Sequence, residues 1–141
     1  MKKILLLLLA AVSLCACKKT PETISVPFEK MDYYFAAVEA SVARKIVDQD
    51  TFDNLFGVAF TMGMQVEPLD FGKEFVIGII NPPTDEKTTL TPVSLVKTGD
   101  GLVFTYSEQI GEKMGSTMKP SLVIRVDKQY DAPLQIIKIQ K

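Results

Sequence analysis

The sequence predicts a single α+β domain, mostly antiparallel β-sheet with one main packed helix, and three stretches carry that expectation. Phe75 to Ile80 is an apolar run of six residues, the length and composition of a strand covered on both faces. Leu90 to Lys97 and Leu102 to Ser107 are two further β-rich segments joined across Thr98-Gly99-Asp100-Gly101. Asp-Gly is a tight-hairpin signal because both residues tolerate φ above zero. From Asp48 the period becomes helical: Phe52, Leu55, Phe56, Ala59 and Phe60 form one apolar stripe at i, i+3, i+4, i+7 and i+8.

In chain order, Phe28 to Val47 has no Gly or Pro and mixes helix-favouring Ala36, Ala37, Ala40 and Ala43 with β-formers. Strands are expected at its ends, Tyr33-Tyr34-Phe35 and Lys45-Ile46-Val47. Asp48 or Asp50 can accept from the free amides of a first helical turn, and the helix should end near Met62-Gly63. After Glu67-Pro68 the chain turns to β. Leu122, Ile124 and Val126 alternate with Val123, Arg125 and Asp127, a strand with one apolar and one mostly polar face. Leu134 to Ile139, after Pro133, is the last expected strand. Two intervals read as loops, Asn81 to Thr89 and Ile110 to Pro120.

The N-terminus has a different character. Met1-Lys2-Lys3 is cationic, Ile4 to Val12 is wholly Ile, Leu, Ala and Val, and Lys18 and Lys19 follow too soon for a membrane span. A spanning helix needs about 20 apolar residues, so the pattern is that of a secretory signal. Its end, Leu14-Cys15-Ala16-Cys17, resembles the lipobox of bacterial lipoproteins, with a small residue directly before the cysteine. The resemblance implies that residues 1–16 are a signal peptide, that Cys17 is lipidated and that the protein meets a membrane through that lipid. Cys15 fits badly, because Leu14 would then occupy the small-residue position. Each buried methylene adds about 0.8 kcal/mol of membrane affinity, so several acyl chains make release negligible. Lys18 stands where a retention Asp would hold such a protein at an inner membrane, which favours the outer membrane. Lys18-Lys19-Thr20-Pro21 lacks an acidic pair of the kind that directs surface export, which favours the periplasmic face. Residues 17–27 then read as lipid anchor and tether, and residues 28–141 as the domain.

Removing residues 1–16 from 141 leaves 125, enough for one domain with its own core. With Lys2 and Lys3 gone, 14 of the 16 basic residues face 17 acidic ones, a formal charge of −3, and no basic run exceeds two. Nucleic-acid binding, which draws on neutralised phosphates, is not expected. The sequence has no His, and its two cysteines are Cys15 and Cys17. The commonest general base, a free thiol nucleophile, a disulfide and His/Cys metal sites are therefore not available to residues 18–141. Neither an enzyme nor a cofactor or metal site is expected. Asp85-Glu86 and Asp48-x-Asp50 are the nearest approaches to paired carboxylates, and both read as solvated. Gly111-Glu112-Lys113-Met114-Gly115-Ser116 lacks the Lys-Ser/Thr ending of a phosphate loop.

The order of segments resembles the PrcB C-terminal family, the protease-complex-inhibitor-like domain, over roughly Phe28 to Ile139. The matching stretches are Ile46-Val47-Asp48-Gln49-Asp50-Thr51-Phe52, Leu69-Asp70-Phe71-Gly72-Lys73-Glu74-Phe75-Val76-Ile77, Leu102-Val103-Phe104-Thr105-Tyr106 and Pro120-Ser121-Leu122-Val123-Ile124-Arg125-Val126. Such a domain implies a non-catalytic binding or protease-inhibitor-like module, with an envelope protein or protease as partner. Members carry a Thr-Gly-Gly-Tyr loop after the strand that here ends at Ile80, whereas this chain has Asn81-Pro82-Pro83-Thr84-Asp85-Glu86-Lys87. That segment is the expected partner-binding loop. Without the glycines and the aromatic it must bind by other means, and the alternative is a structural or assembly lipoprotein with no discrete ligand.

Overall fold

The computed structural model describes residues 22–59, 62–63 and 65–141. Leu14 to Cys17, the signal segment and Phe60 lie outside the described residues. Among the described residues, ten strands and one α-helix form a single domain of three layers. One sheet has the order β1 (Thr23–Ser25), β7 (Thr84–Thr98), β8 (Gly101–Met118), β10 (Leu134–Gln140). The second has the order β2 (Glu29–Lys30), β9 (Ser121–Asp127), β6 (Glu74–Ile80), β4 (Val42–Ile46). Against its far face lie α1 (Gln49–Leu55) and the two-stranded ribbon β3 (Tyr34–Ala36) with β5 (Phe56–Val58).

The apolar run of β6 explains why there are three layers. Phe75, Ile77 and Ile79 face the first sheet, where they meet Leu95, Leu102, Phe104 and Tyr106. Val76 and Ile80 face the opposite way, onto Ile46, Phe52 and Phe56. The middle sheet is thus the shared wall of two cores, and each large side chain sealed there contributes roughly 1.5–3 kcal/mol of burial. Gly78 belongs to the second face. A Cβ there would lie 2.8 Å from the Phe56 ring and 3.0 Å from Ile46 Cδ1, so the missing side chain is the seat of the ring. Strand β9 is covered on both faces as well. Val123, expected on a mostly polar face, is buried in the second core.

The helix is shorter than the apolar stripe suggested. Asp48 is its N-cap, accepting from the Thr51 amide at 2.7 Å and the Thr51 hydroxyl at 2.8 Å. It stops at Leu55 because Phe56-Gly57-Val58 pairs with β3 instead, and Gly57 leaves room for the Phe35 ring that lies over it. Phe52 and Phe56 are nevertheless both buried and stack at 5.3 Å, one from the helix and one from the strand. Ala59 is exposed, and Met62-Gly63 form a turn.

Three further expectations are corrected. The stretch from Thr23 to Pro27, read as tether, joins the domain: β1 pairs with β7, and Val26 is buried in the first core. The β7–β8 turn is Gly99-Asp100, with Thr98 opposite Gly101. Gly99 alone takes positive φ, at 58°, because a two-residue turn of this handedness needs it only at the first position. Finally, β10 runs parallel to β8, Leu134 opposite Leu102, after the chain has crossed the other sheet in β9. The remainder of both sheets is antiparallel.

Candidate functional site

The segment Asn81 to Lys87 is a loop only in its first three residues. Asn81, Pro82 and Pro83 leave the end of β6, and Thr84 already opens β7. Asp85, Glu86 and Lys87 therefore lie on a strand, with Glu86 opposite Lys113. Ile110 to Met118, expected as a loop, is the matching length of β8, and only Lys119-Pro120 connect it to β9. The physical reason is composition. Thr84, Thr88 and Thr89 are β-branched and suit an extended ribbon, but neither face of it is apolar, so hydrophobic alternation gave no signal. Exposure alternates along the strand, with Asp85 and Lys87 outward and Thr88 buried. Register slips between Thr84 and Glu86 and between Glu86 and Thr88 mark the ribbon as irregular.

What fixes the loop is a residue that sequence reading missed. Glu108, in the middle of β8, is 6% exposed and its carboxylate points along the inner face of the first sheet. It accepts from Asn81 Nδ2, from Gln140 Nε2 at 2.7 Å and, at 3.5 Å, from Lys138 Nζ. Its backbone carbonyl accepts from the Lys141 amide at 3.0 Å. From the other side, the Asn81 amide donates to the Pro120 carbonyl at 2.9 Å. The start of the loop is thus held by β8, β10 and the turn before β9. A hollow of about 190 Å3 lies behind it, lined among others by Pro83, Thr88, Glu108 and Ile110. Burial, and then the charge of Glu108, push the Tyr106 phenol above its ordinary value.

A second polar cluster braces the middle sheet. Arg125 of β9 meets Glu67 at 2.6 Å and Glu29 at 2.7 Å, with Glu74 at 3.9 Å. The Glu67 hydrogen bond, chiefly, holds the guanidinium's pKa above its ordinary value. Arg125 therefore remains charged, and ties β2 and the segment before β6 to the sheet.

Asp48, the first of the Asp48-x-Asp50 pair, is spent on the helix cap. Among the described residues no group of three or more acidic side chains is arranged to hold a metal ion, and no helix is long and apolar enough to cross a membrane. Comparison with protein-family models, with curated proteins and with solved structures finds no match to the chain.

Proposed function

We propose that the chain is a lipid-anchored cell-envelope protein whose domain is a non-catalytic binding or protease-inhibitor-like accessory module. The observation that carries the reading is the bracing of Asn81-Pro82-Pro83 by the buried Glu108. Two consecutive prolines on a residue pinned from behind form a loop whose backbone is already ordered, so a partner that meets it spends little entropy on docking. Asp85 and Lys87, outward on the adjoining strand, supply charge for selecting that partner. The resemblance to the PrcB C-terminal family and the absence of His from the sequence support a binding role over a catalytic one.

The anchor is Cys17, on the strength of Leu14-Cys15-Ala16-Cys17, and the outer membrane's periplasmic face is its place. Since β1 begins at Thr23, a lipidated Cys17 could stand no more than about 20 Å from the first sheet, and the domain would lie against the headgroups. A structural or assembly role without a discrete ligand is the second reading. It draws on Ile137 and Ile139, exposed on the outer face of the first sheet. Affinity capture from solubilised membranes with the full-length protein separates the two. The binding reading expects one saturable partner that is lost when Pro82, Pro83, Asp85 and Lys87 are replaced together by Ser; a partner retained by that variant overturns it.

A further inference from the structure

We propose that the free edge of β10 is a docking site for an extended acidic segment of a partner protein, which adds to the first sheet as a further strand. Along one side the two sheets are not hydrogen-bonded to each other, although their end strands approach closely there: β10 is the last strand of the first sheet and β4 the last of the second. Between them runs an open cleft of about 630 Å3, with Tyr106, Leu134 and Ile136 as its floor and Arg44, Lys45 and Lys138 on its rim.

The backbone of β10 is ready for a partner. The Pro133 carbonyl accepts from the Leu102 amide and the Lys141 amide donates to the Glu108 carbonyl, so the odd-numbered residues of this strand turn their backbone groups toward β8. The register from Leu134 to Gln140 has no slip. The amides and carbonyls of Leu134, Ile136 and Lys138 therefore point away from β8, to the free edge of the sheet. The same three residues line the cleft. An unpaired edge of this kind is where extended peptides add to sheets, with backbone hydrogen bonds giving affinity and alternate side chains giving selection.

The rim selects the charge. No carboxylate lines the cleft among the described residues, whereas three cations do. Lys45 is already engaged, with Asp131 at 2.5 Å, the Ala132 carbonyl at 3.0 Å and the Phe75 ring beneath it. Lys138 shares Glu108 at 3.5 Å. Among the described residues the Arg44 side chain makes no ion pair, and its one hydrogen bond is to the neighbouring Lys45 carbonyl at 3.4 Å. An incoming strand that places apolar side chains over Leu134 and Ile136 and a carboxylate beside Arg44 and Lys138 satisfies both the floor and the rim.

The site is separate from the Asn81–Lys87 loop, and the two fail separately, because the test uses a peptide in place of a captured partner. The probe is a dye-labelled Glu-Val-Thr-Val-Thr-Glu peptide, set against a Lys-Val-Thr-Val-Thr-Lys peptide of the same length. Binding to the full-length protein in nonionic detergent is followed by fluorescence anisotropy, and residue-resolved hydrogen exchange locates the bound peptide. The acidic peptide should bind at least about tenfold tighter than the basic one, and added salt should weaken it. The amides of Ile136 and Lys138 should exchange freely in the unbound protein and slow when the peptide binds. Arg44→Glu should cost at least about tenfold in affinity, with only a small fall in thermal midpoint from the lost attraction to the Asp48 carboxylate. Equal binding of the two peptides, no binding at millimolar concentration, or protection elsewhere overturns the proposal. So does protection of Ile136 and Lys138 in the unbound protein through self-association.

Discussion

Removing the Glu108 carboxylate tests whether the loop is held or merely adjacent. In Glu108→Ala two charge-assisted hydrogen bonds disappear, those from Asn81 Nδ2 and Gln140 Nε2, each worth about 1.5–3 kcal/mol where the acceptor is ionised. The Lys138 contact, at 3.5 Å and with the lysine half exposed, adds less than about 1 kcal/mol. Asn81 and Gln140 reach water at the surface and recover part of their loss, so the expected net cost is about 2–3 kcal/mol. In a domain of this size each kcal/mol moves the midpoint by about 4 °C, so the melting temperature should fall by about 8–12 °C. Glu108→Gln keeps one acceptor but aims an NH2 at another NH2, and should lose about half as much. Urea denaturation gives the cost, and hydrogen exchange at the Asn81 amide gives its location. A Glu108→Ala cost below about 0.5 kcal/mol with unchanged exchange at Asn81 would refute the bracing argument.

Three other outcomes are expected. Gly78→Ala would gain about 0.5–1 kcal/mol on an open strand, but the 2.8 Å approach to Phe56 makes it an overpacking change costing about 1–3 kcal/mol. Urea denaturation should show a net loss near 1–2 kcal/mol, partly relieved when Phe56→Leu is added, and a neutral result would unseat the ring. The hydrogen bonds from the Thr51 amide and then its hydroxyl hold the Asp48 carboxyl below its ordinary value. A lowered folded value means that the cap stabilises fully above the unfolded value and is lost as pH falls through the folded one. Thermal melts of Asp48→Ala should therefore lie below wild type at neutral pH and converge with it in strong acid. Cys17→Ser should abolish palmitate labelling and leave an unprocessed precursor, whereas Cys15→Ser should leave both intact; labelled Cys17→Ser protein would overturn the anchor.

How much of this was legible depended on how far apart the partners lie in sequence. The run from Phe75 to Ile80 announced a doubly covered strand because both of its faces are apolar, and the β6 bounds agree to one residue. The stripe from Phe52 correctly marked Phe52 and Phe56 as core, yet it could not see that β3 would claim Phe56 to Val58 as a strand. That competition is tertiary, and local periodicity is blind to it. Thr84 to Thr89 lacked a hydrophobic face and so passed for a loop, although a polar two-stranded ribbon needs none. Glu108 and Arg125 were invisible for a different reason. Asn81, Glu108 and Gln140 become neighbours only once β6, β8 and β10 are placed, and nothing at any one position hints at the others. A carboxylate in the middle of a β-rich segment is the one sign that was available, since such a group is buried only when paired.

Strand β6 also carries a hazard. Phe75-Val76-Ile77-Gly78-Ile79-Ile80 is harmless between two cores, but in any unfolded copy of the chain it is an uncharged, strongly β-forming hexapeptide, the kind that stacks into fibrils. Its neighbours bear on that risk. Lys73 and Glu74 set charges at one end, and at the other Pro82 and Pro83 have no amide to donate to a growing ladder, so an intermolecular stack cannot extend past Asn81. The prolines that end the strand in the folded domain are thus gatekeepers for the unfolded one. Replacing both by Thr should leave the sandwich intact under native conditions, and should shorten the lag before thioflavin-positive aggregates form at the urea midpoint.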